Sequence, residues 1–186
     1  MTREIEVRFL NVNDTELKEK IKALGGKDLG EDILTEIIFY DKELKWIEQG
    51  KKFARLRKTR NKVLLTYKNR LEDTATGTNE IEIEVSDMEK AREILEELSL
   101  FASRRQEKRR HSFELNGTMI EFDYWPKNVP VYMEIEGSSE TKLKETAKML
   151  ELAWSDATWE DPRKVLEKYY NIPISKLRYF TFERIE

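Results

Sequence analysis

Five short segments of this chain alternate charge with hydrophobe in step. Glu4-Ile5-Glu6-Val7-Arg8 puts two carboxylates and a guanidinium on one face of a strand, and Ile5, Val7 and Phe9 on the other. Glu80-Ile81-Glu82-Ile83-Glu84-Val85 and Glu134-Ile135-Glu136 repeat the pattern, and Arg55-Leu56-Arg57 and Lys108-Arg109-Arg110 supply its positive counterpart. A half-exposed strand ordinarily mixes Thr, Ser, Lys and Glu on its wet face. Carboxylates on some strands and cations on others predict strands curled around a charged interior. The apolar faces, Ile5, Val7, Ile81, Ile83 and Ile135, then pack outward against helices.

Six or more inward carboxylates cannot all ionise close together without compensation. Lys, Arg and divalent cations provide it. Hard oxygen ligands favour magnesium, manganese or calcium over zinc or copper, and a single histidine, His111, argues against a multi-histidine metal site. An Arg fork engages two phosphate oxygens at once. Carboxylates, divalent metal and Arg or Lys in one lumen point to a nucleotide or polyphosphate. Taken alone, Glu80–Glu84 reads as a solvated face and Arg55/Arg57 as surface charge; recurrence favours the interior. His111 is out of phase with Lys108 and Arg110 and reads as structural or surface. Trp46, Trp125, Trp154 and Trp159 read as packing or rim residues, and Arg104-Arg105 as a solvated edge.

The elements that must position these groups fit one soluble domain over residues 1–186. Hydrophobic residues make up 39% of the chain, enough for a core, beside 38% charged residues. A net charge of −3 gives no global attraction to nucleic acid or anionic membrane, so neither partner is expected. The absence of cysteine excludes disulfides, thiolate metal sites and a cysteine nucleophile. The start lacks a long apolar segment, and no apolar run approaches a membrane span, so a cytoplasmic location is expected.

Residues 3–10 read as a strand, and Asp14 caps a helix over about 15–24 ended by Gly25-Gly26. Strands follow at Ile33–Asp41, Lys52–Lys58 and Lys62–Asn69, the last two joined by a turn at Arg60-Asn61. A Thr-rich loop over Glu72–Asn79 precedes the strand Glu80–Val85, after which Asp87 caps a helix over about 88–99. Ser103–Leu115 and Thr118–Trp125 form a hairpin across Asn116-Gly117. Then come the strand Val131–Glu136, a helix after Ser138-Ser139, and a short helix opened by Asp161-Pro162 and ending near Tyr170. Short turns predict an antiparallel sheet, and about eight strands suffice to close a barrel.

These motifs, in this order, resemble the CYTH superfamily of triphosphate tunnel metalloenzymes, which includes class IV adenylyl cyclases, thiamine triphosphatases and inorganic triphosphatases. The family's Glu-x-Glu-x-Lys reads Glu4-Ile5-Glu6-Val7-Arg8 here, with arginine for lysine. Its Leu-Arg-x-Arg-type strand matches Phe53–Arg57, its Thr-x-Lys strand Leu65-Thr66-Tyr67-Lys68, and its acidic strand Glu80–Glu84. Its Lys-x-Arg segment matches Lys108–Arg110 with Phe113 at the aromatic position, its inward aspartate Asp123, and its late Glu-x-Glu Glu134–Glu136. The resemblance covers about residues 3–170, leaving a tail over 171–186.

The resemblance implies an α+β fold: an antiparallel eight-stranded closed barrel, the triphosphate tunnel, flanked by helices. It implies a triphosphatase dependent on Mg²⁺ or Mn²⁺, acting on inorganic tripolyphosphate or a nucleoside or thiamine triphosphate. A class IV-type adenylyl cyclase and a non-catalytic polyphosphate or nucleotide binder are the alternatives. Arg8, Arg55, Arg57, Lys68, Lys108 and Arg110 are the implied phosphate ligands. Glu4, Glu6, Glu82, Asp123, Glu134 and Glu136 are the implied metal ligands, Glu82 ahead of Glu80. Glu4, Glu6 and Arg8 are the implied catalytic groups. Lys164 and Lys168 are candidates for a late lumen lysine, no base-binding pocket is evident, and family analogy suggests a homodimer.

Overall fold

Alternation between charged and apolar positions produces a curled sheet with a polar inside and a greasy outside. The computed structural model describes residues 2–49, 52–71, 74 and 78–186, apart from the side chains of Thr2, Glu4, Ile47 and Glu48. The strands are β1 (Thr2–Glu4), β2 (Glu6–Phe9), β3 (Lys27–Asp41), β4 (Lys52–Lys58), β5 (Val63–Arg70), β6 (Thr78–Val85), β7 (Leu100–Leu115), β8 (Thr118–Tyr124), β9 (Tyr132–Glu136), β10 (Ala157–Thr158) and β11 (Tyr179–Phe180). The helices are α1 (Asp14–Ala23), α2 (Lys45–Glu48), α3 (Met88–Glu97), α4 (Glu140–Met149) and α5 (Pro162–Tyr170).

The pairing order is β1-β6-β5-β4-β3-β7-β8-β9-β2-β10, and β11 adds to β7. Every pairing is antiparallel except β11 on β7. β1 and β2 are two halves of one chain run around Ile5. The first half pairs with β6 and the second with β9, so residues 2–9 bring the two ends of the sheet together. Counted as runs, eight strands surround the tunnel, with β10 and β11 as short additions. The ring is not one continuous ladder, as a closed barrel would require. Beyond Ile5 the outer edge of β2 pairs with β10 instead of β6. Arg70, at the end of β5, bridges this seam by donating to the Trp159 carbonyl and lying 3.6 Å from Asp161.

β3 and β7 are longer than their hydrophobic patterns predict, because Lys27–Asp32 and Leu100–Ala102 carry no clean alternation. The two strands pair along nearly their whole length, with irregularities at Asp28/Gly30 and Ile38/Phe39. Asn116 and Gly117 both take positive φ, 54° and 70°, as a two-residue hairpin whose twist matches its strands requires. Asp87, Ser139 and Asp161 cap their helices as predicted, whereas Asn13, not Asp14, caps α1.

Helices cover much of the apolar outer face. α1 and α4 set Leu17, Ile21, Leu143 and Ala147 against Val7, Phe113, Ile120, Phe122 and Ile135. α3 sets Ala91 and Leu95 against Ile37, Phe39 and Leu56. Ile81 and Ile83 depart from expectation: they face outward, but no helix among the described residues covers them and they are 46% and 54% exposed. α5 and the tail form a third cluster, in which Val165, Leu166, Ile174 and Phe180 pack with Trp125 and Tyr132.

Phe180 is fully buried, and its ring stacks on Trp125 at 6.0 Å between centroids. Phe180→Ala is expected to cost about 3–5 kcal/mol of unfolding free energy in urea titrations. A loss below about 1 kcal/mol, within the range of ordinary surface changes, would show that the tail does not hold this end of the tunnel.

Candidate active site

Even-numbered residues of β7, alternating across the pleat, point Arg104, Gln106, Lys108 and Arg110 into one cavity of about 270 Å³. Pairing with β3, β8, β9 and β2 then sets the rows across the tunnel. Glu36 lies opposite Gln106, Asp123 opposite Arg110, Glu121 opposite Glu134, Glu134 opposite Arg8, and Glu136 opposite Glu6. Like charges directly opposite on adjacent strands destabilise a sheet. The Glu121–Glu134 and Glu136–Glu6 pairs therefore need cations beside them.

Arg110 serves the first of those pairs. It donates to Asp123 at 2.6 and 2.7 Å, to Glu134 at 2.6 Å, and to Glu121. Lys108 Nζ reaches Asp123 at 2.5 Å. Arg8 donates to Glu134 at 2.7 Å, to Glu6 at 2.6 Å and to the Glu160 carbonyl at 2.9 Å. Burial opposes the Arg8 charge, but Glu6 and Glu134 overcome it and raise its pKa well above the usual value. Burial likewise pushes the Glu134 carboxyl up, and Arg8 and Arg110 overcome it, holding it well below the usual carboxylate range. For Lys108 burial wins, and with Arg110 beside it the amine's pKa is lowered.

A second network centres on Glu36, a residue the motifs did not flag. Arg57 donates to it at 2.6 Å, Gln106 at 2.5 Å, and Arg55 lies 3.6 Å away. Burial pushes this carboxyl up, but Arg57 and Arg55 outweigh it and hold it well below the ordinary range. The available signal was a lone charge within the otherwise uncharged run Leu34–Tyr40. Arg55 also donates to Thr66 at 3.4 Å, and Thr66 donates to Glu82 at 2.9 Å. Lys68 pairs with Glu80 at 2.9 Å.

Toward α5 the lining turns apolar: Ile38, Tyr40, Trp46, Phe53, Leu166 and Ile174. No local pattern announces this pocket, because its walls come from five separate parts of the chain. Trp46 and Trp125 line the cavity, while Trp154 and Trp159 pack outside it. Arg104 is 4% exposed, so it is no solvated edge; only Arg105 is exposed. Lys168 points to solvent and pairs with Glu160, and Lys164 does not line the cavity. Their neighbour Arg163 does. His111 lies outside the tunnel, stacked on Phe113 and 2.7 Å from Asp28.

The implied phosphate ligands Arg8, Arg55, Arg57, Lys68, Lys108 and Arg110 thus share one cavity with Glu6, Glu82, Glu134 and Glu136. Asp123 is fully buried behind Arg110 and Lys108. The Glu4 side chain lies outside the described residues. Asp123 accepts three hydrogen bonds, from Arg110 and Lys108, and Glu134 accepts two, from Arg8 and Arg110. Among the described residues no three His, Asp or Glu side chains gather to hold a metal ion by themselves. Glu6 and Glu136 lie adjacent across β2 and β9 as a carboxylate pair, and Glu6 also accepts from Arg8. That donor set fits a magnesium-type ion, which takes one or two carboxylates and completes its shell with water and substrate phosphates.

A sequence model of the CYTH domain matches residues 2–168. No curated protein matches the chain. Among solved structures, a protein of Pyrococcus horikoshii is 28% identical, with 85% of this chain and 96% of that one covered and a TM-score of 0.70. A candidate adenylate cyclase from Vibrio parahaemolyticus shares the fold at 16% identity, with 89% and 98% covered and a TM-score of 0.73. A candidate adenylyl cyclase from Hippeastrum, described as having a dominant triphosphatase activity, shares it at 14% identity, with 94% and 99% covered and a TM-score of 0.59.

Depressed carboxylates fix the sign of the pH dependence. The stability that Glu36 and Glu134 contribute is complete above the ordinary carboxylate range and is lost as pH falls through their lowered native values. Glu36→Gln leaves Arg55 and Arg57 without that countercharge and is expected to cost about 3–5 kcal/mol at neutral pH. In denaturant titrations the gap from wild type should narrow once the pH drops below about 4, where unfolded carboxylates protonate. A gap that does not change with pH would show that the Glu36 charge contributes nothing.

Proposed function

The chain belongs to the CYTH family, and we propose that it is a divalent-metal-dependent triphosphatase that hydrolyses a triphosphate inside this tunnel. One observation carries the reading: Arg8, Arg55, Arg57, Lys68, Lys108 and Arg110 converge on a single cavity whose carboxylates they share. A polyanion entering there exchanges solvent for fixed donors in a low-dielectric site, where each contact is stronger than in water.

In this reading Arg55, Arg57, Lys68, Lys108 and Arg110 hold phosphate oxygens and place the terminal phosphorus for attack by water. The phosphorus–bridging-oxygen bond breaks, and its electron pair leaves on the departing diphosphate, which the guanidinium groups stabilise. Arg8 has a different part. Three of its N–H donors are committed to Glu134, Glu6 and the Glu160 carbonyl, so it chiefly orients the two carboxylates. A lysine has no fork to hold both. Glu6 and Glu136, with Glu4, would hold the metal; magnesium or manganese bound there would supply charge compensation for the phosphates and a more acidic water. Because these carboxylates leave part of the shell to water and substrate, metal and triphosphate should bind interdependently.

The apolar end of the cavity, with Tyr40, Trp46 and Phe53, favours a second reading: an adenylyl cyclase that seats adenine there. In that case ATP yields cyclic AMP and pyrophosphate instead of ADP and orthophosphate.

Glu6→Gln is expected to lower metal-dependent kcat about 100-fold, the scale of losing one group that acts on transition-state charge. Unchanged turnover would remove Glu6 from the site. Arg57→Ala should raise the KM for triphosphate about 10- to 100-fold, as for a lost charged hydrogen bond, with partial recovery in Arg57→Lys. An unaltered KM would exclude a phosphate contact there. By calorimetry, manganese should bind weakly alone and at least about tenfold more tightly with triphosphate present. Equal affinity in both would contradict a shared metal–phosphate site.

A further inference from the structure

Arg104 is a cation of a different kind from its neighbours. Five Arg or Lys residues facing the tunnel are buried: Arg8, Arg55, Arg104, Lys108 and Arg110. Four have a carboxylate within 3.6 Å. Arg104 has none in salt-bridge range among the described residues. Its Nε donates to the Gln106 side-chain oxygen at 2.7 Å, and its Nη1 to the Ile174 carbonyl at 3.2 Å. Tyr40, its third neighbour, is neutral as well. Glu36, the carboxylate that acts on it from farther off, is already bound by Arg57 and Gln106. Burial lowers the Arg104 pKa, so the free protein holds this charge at a cost.

Taking a charge out of water without a countercharge is costly, and a bound anion can supply the missing charge. The position fits that use. Arg104 and Arg55 pair with β3 from opposite sides at Ile38, so they flank one level of the tunnel roughly 10 Å apart, two strand spacings. The Glu36 level lies two residues along, roughly 7 Å away. The Ile174 carbonyl that steadies Arg104 comes from the tail, beyond the residues matched by the family.

We propose that Arg104 is a further anion-binding residue of the tunnel, taking a phosphate oxygen of the substrate from the side opposite Arg55. It widens the cationic track at the Arg55 level and supplies a specificity determinant for the phosphate held there. The inference rests on the triphosphate reading of the tunnel.

Arg104→Met and Arg104→Lys test it, with inorganic tripolyphosphate as the probe, in chelator so that no turnover intervenes. Thermal melting of the free protein and calorimetric Kd are read together. Arg104→Met should melt no lower than wild type and bind tripolyphosphate about tenfold or more weakly, the scale of one charged hydrogen bond. Arg104→Lys should recover part of the affinity. A lower melting temperature with an unchanged Kd would overturn the proposal and make Arg104 a structural tie to the tail. Tripolyphosphate that neither binds wild type in chelator nor binds or turns over with manganese present would overturn the tunnel reading and this subsite together. Pyrophosphate separates the levels: if it binds both proteins equally while tripolyphosphate does not, Arg104 contacts the third phosphate alone.

Discussion

Charge enclosed by a sheet must be neutralised on the spot, and this requirement organises the structure. Where carboxylates face one another across strand pairs, cations from neighbouring strands reach them, and Arg104 alone among the buried tunnel cations described lacks a carboxylate in salt-bridge range. Arg110 joins Asp123, Glu121 and Glu134; Arg8 joins Glu134 to Glu6; Glu36 collects Arg55 and Arg57. Remove any of these and a buried charge is stranded, which costs far more than an exposed ion pair contributes. The networks are therefore framework and candidate catalytic machinery at once.

Packing on the outside makes the inside affordable. Val7, Phe113, Ile120, Phe122 and Ile135 turn away from the tunnel and bury against α1 and α4. The pleat gives each strand both tasks, since neighbouring residues point to opposite faces. Register is then tightly specified: a slip of one residue would place Glu134 in the hydrophobic core and Ile135 in the tunnel. At the seam, where β2 parts from β6, Arg70 and the segment after β10 replace the missing ladder with side-chain contacts. α5 and the tail cap the α5 end with apolar residues, so the cavity runs from a charged zone into a greasy one.

Strand alternation was legible because it is a local pattern. Glu6, Arg8, Arg55, Arg57, Lys68, Lys108, Arg110, Glu134 and Glu136 could all be placed on inward faces from i, i+2 spacing, and they do line one cavity. Partnerships were not legible, since they depend on register between strands far apart in sequence. Nothing local says that Asp123 accepts from both Arg110 and Lys108, or that Arg8 spans two carboxylates. Glu36 escaped notice because its strand lacks a repeating charge. Arg104 was misplaced because Arg104-Arg105 looks like a basic surface pair, yet the pleat buries the first and exposes the second. The aromatic end needed tertiary structure outright, with walls drawn from β3, α2, β4, α5 and the tail.

Phosphorus NMR of the purified protein with tripolyphosphate and magnesium tests most directly whether these compensated charges serve phosphate chemistry. The tunnel as described predicts that the tripolyphosphate signals give way to pyrophosphate and orthophosphate, and that chelator stops the change. Intact tripolyphosphate with unbroadened lines in magnesium would mean that the tunnel's cations are there for the fold alone.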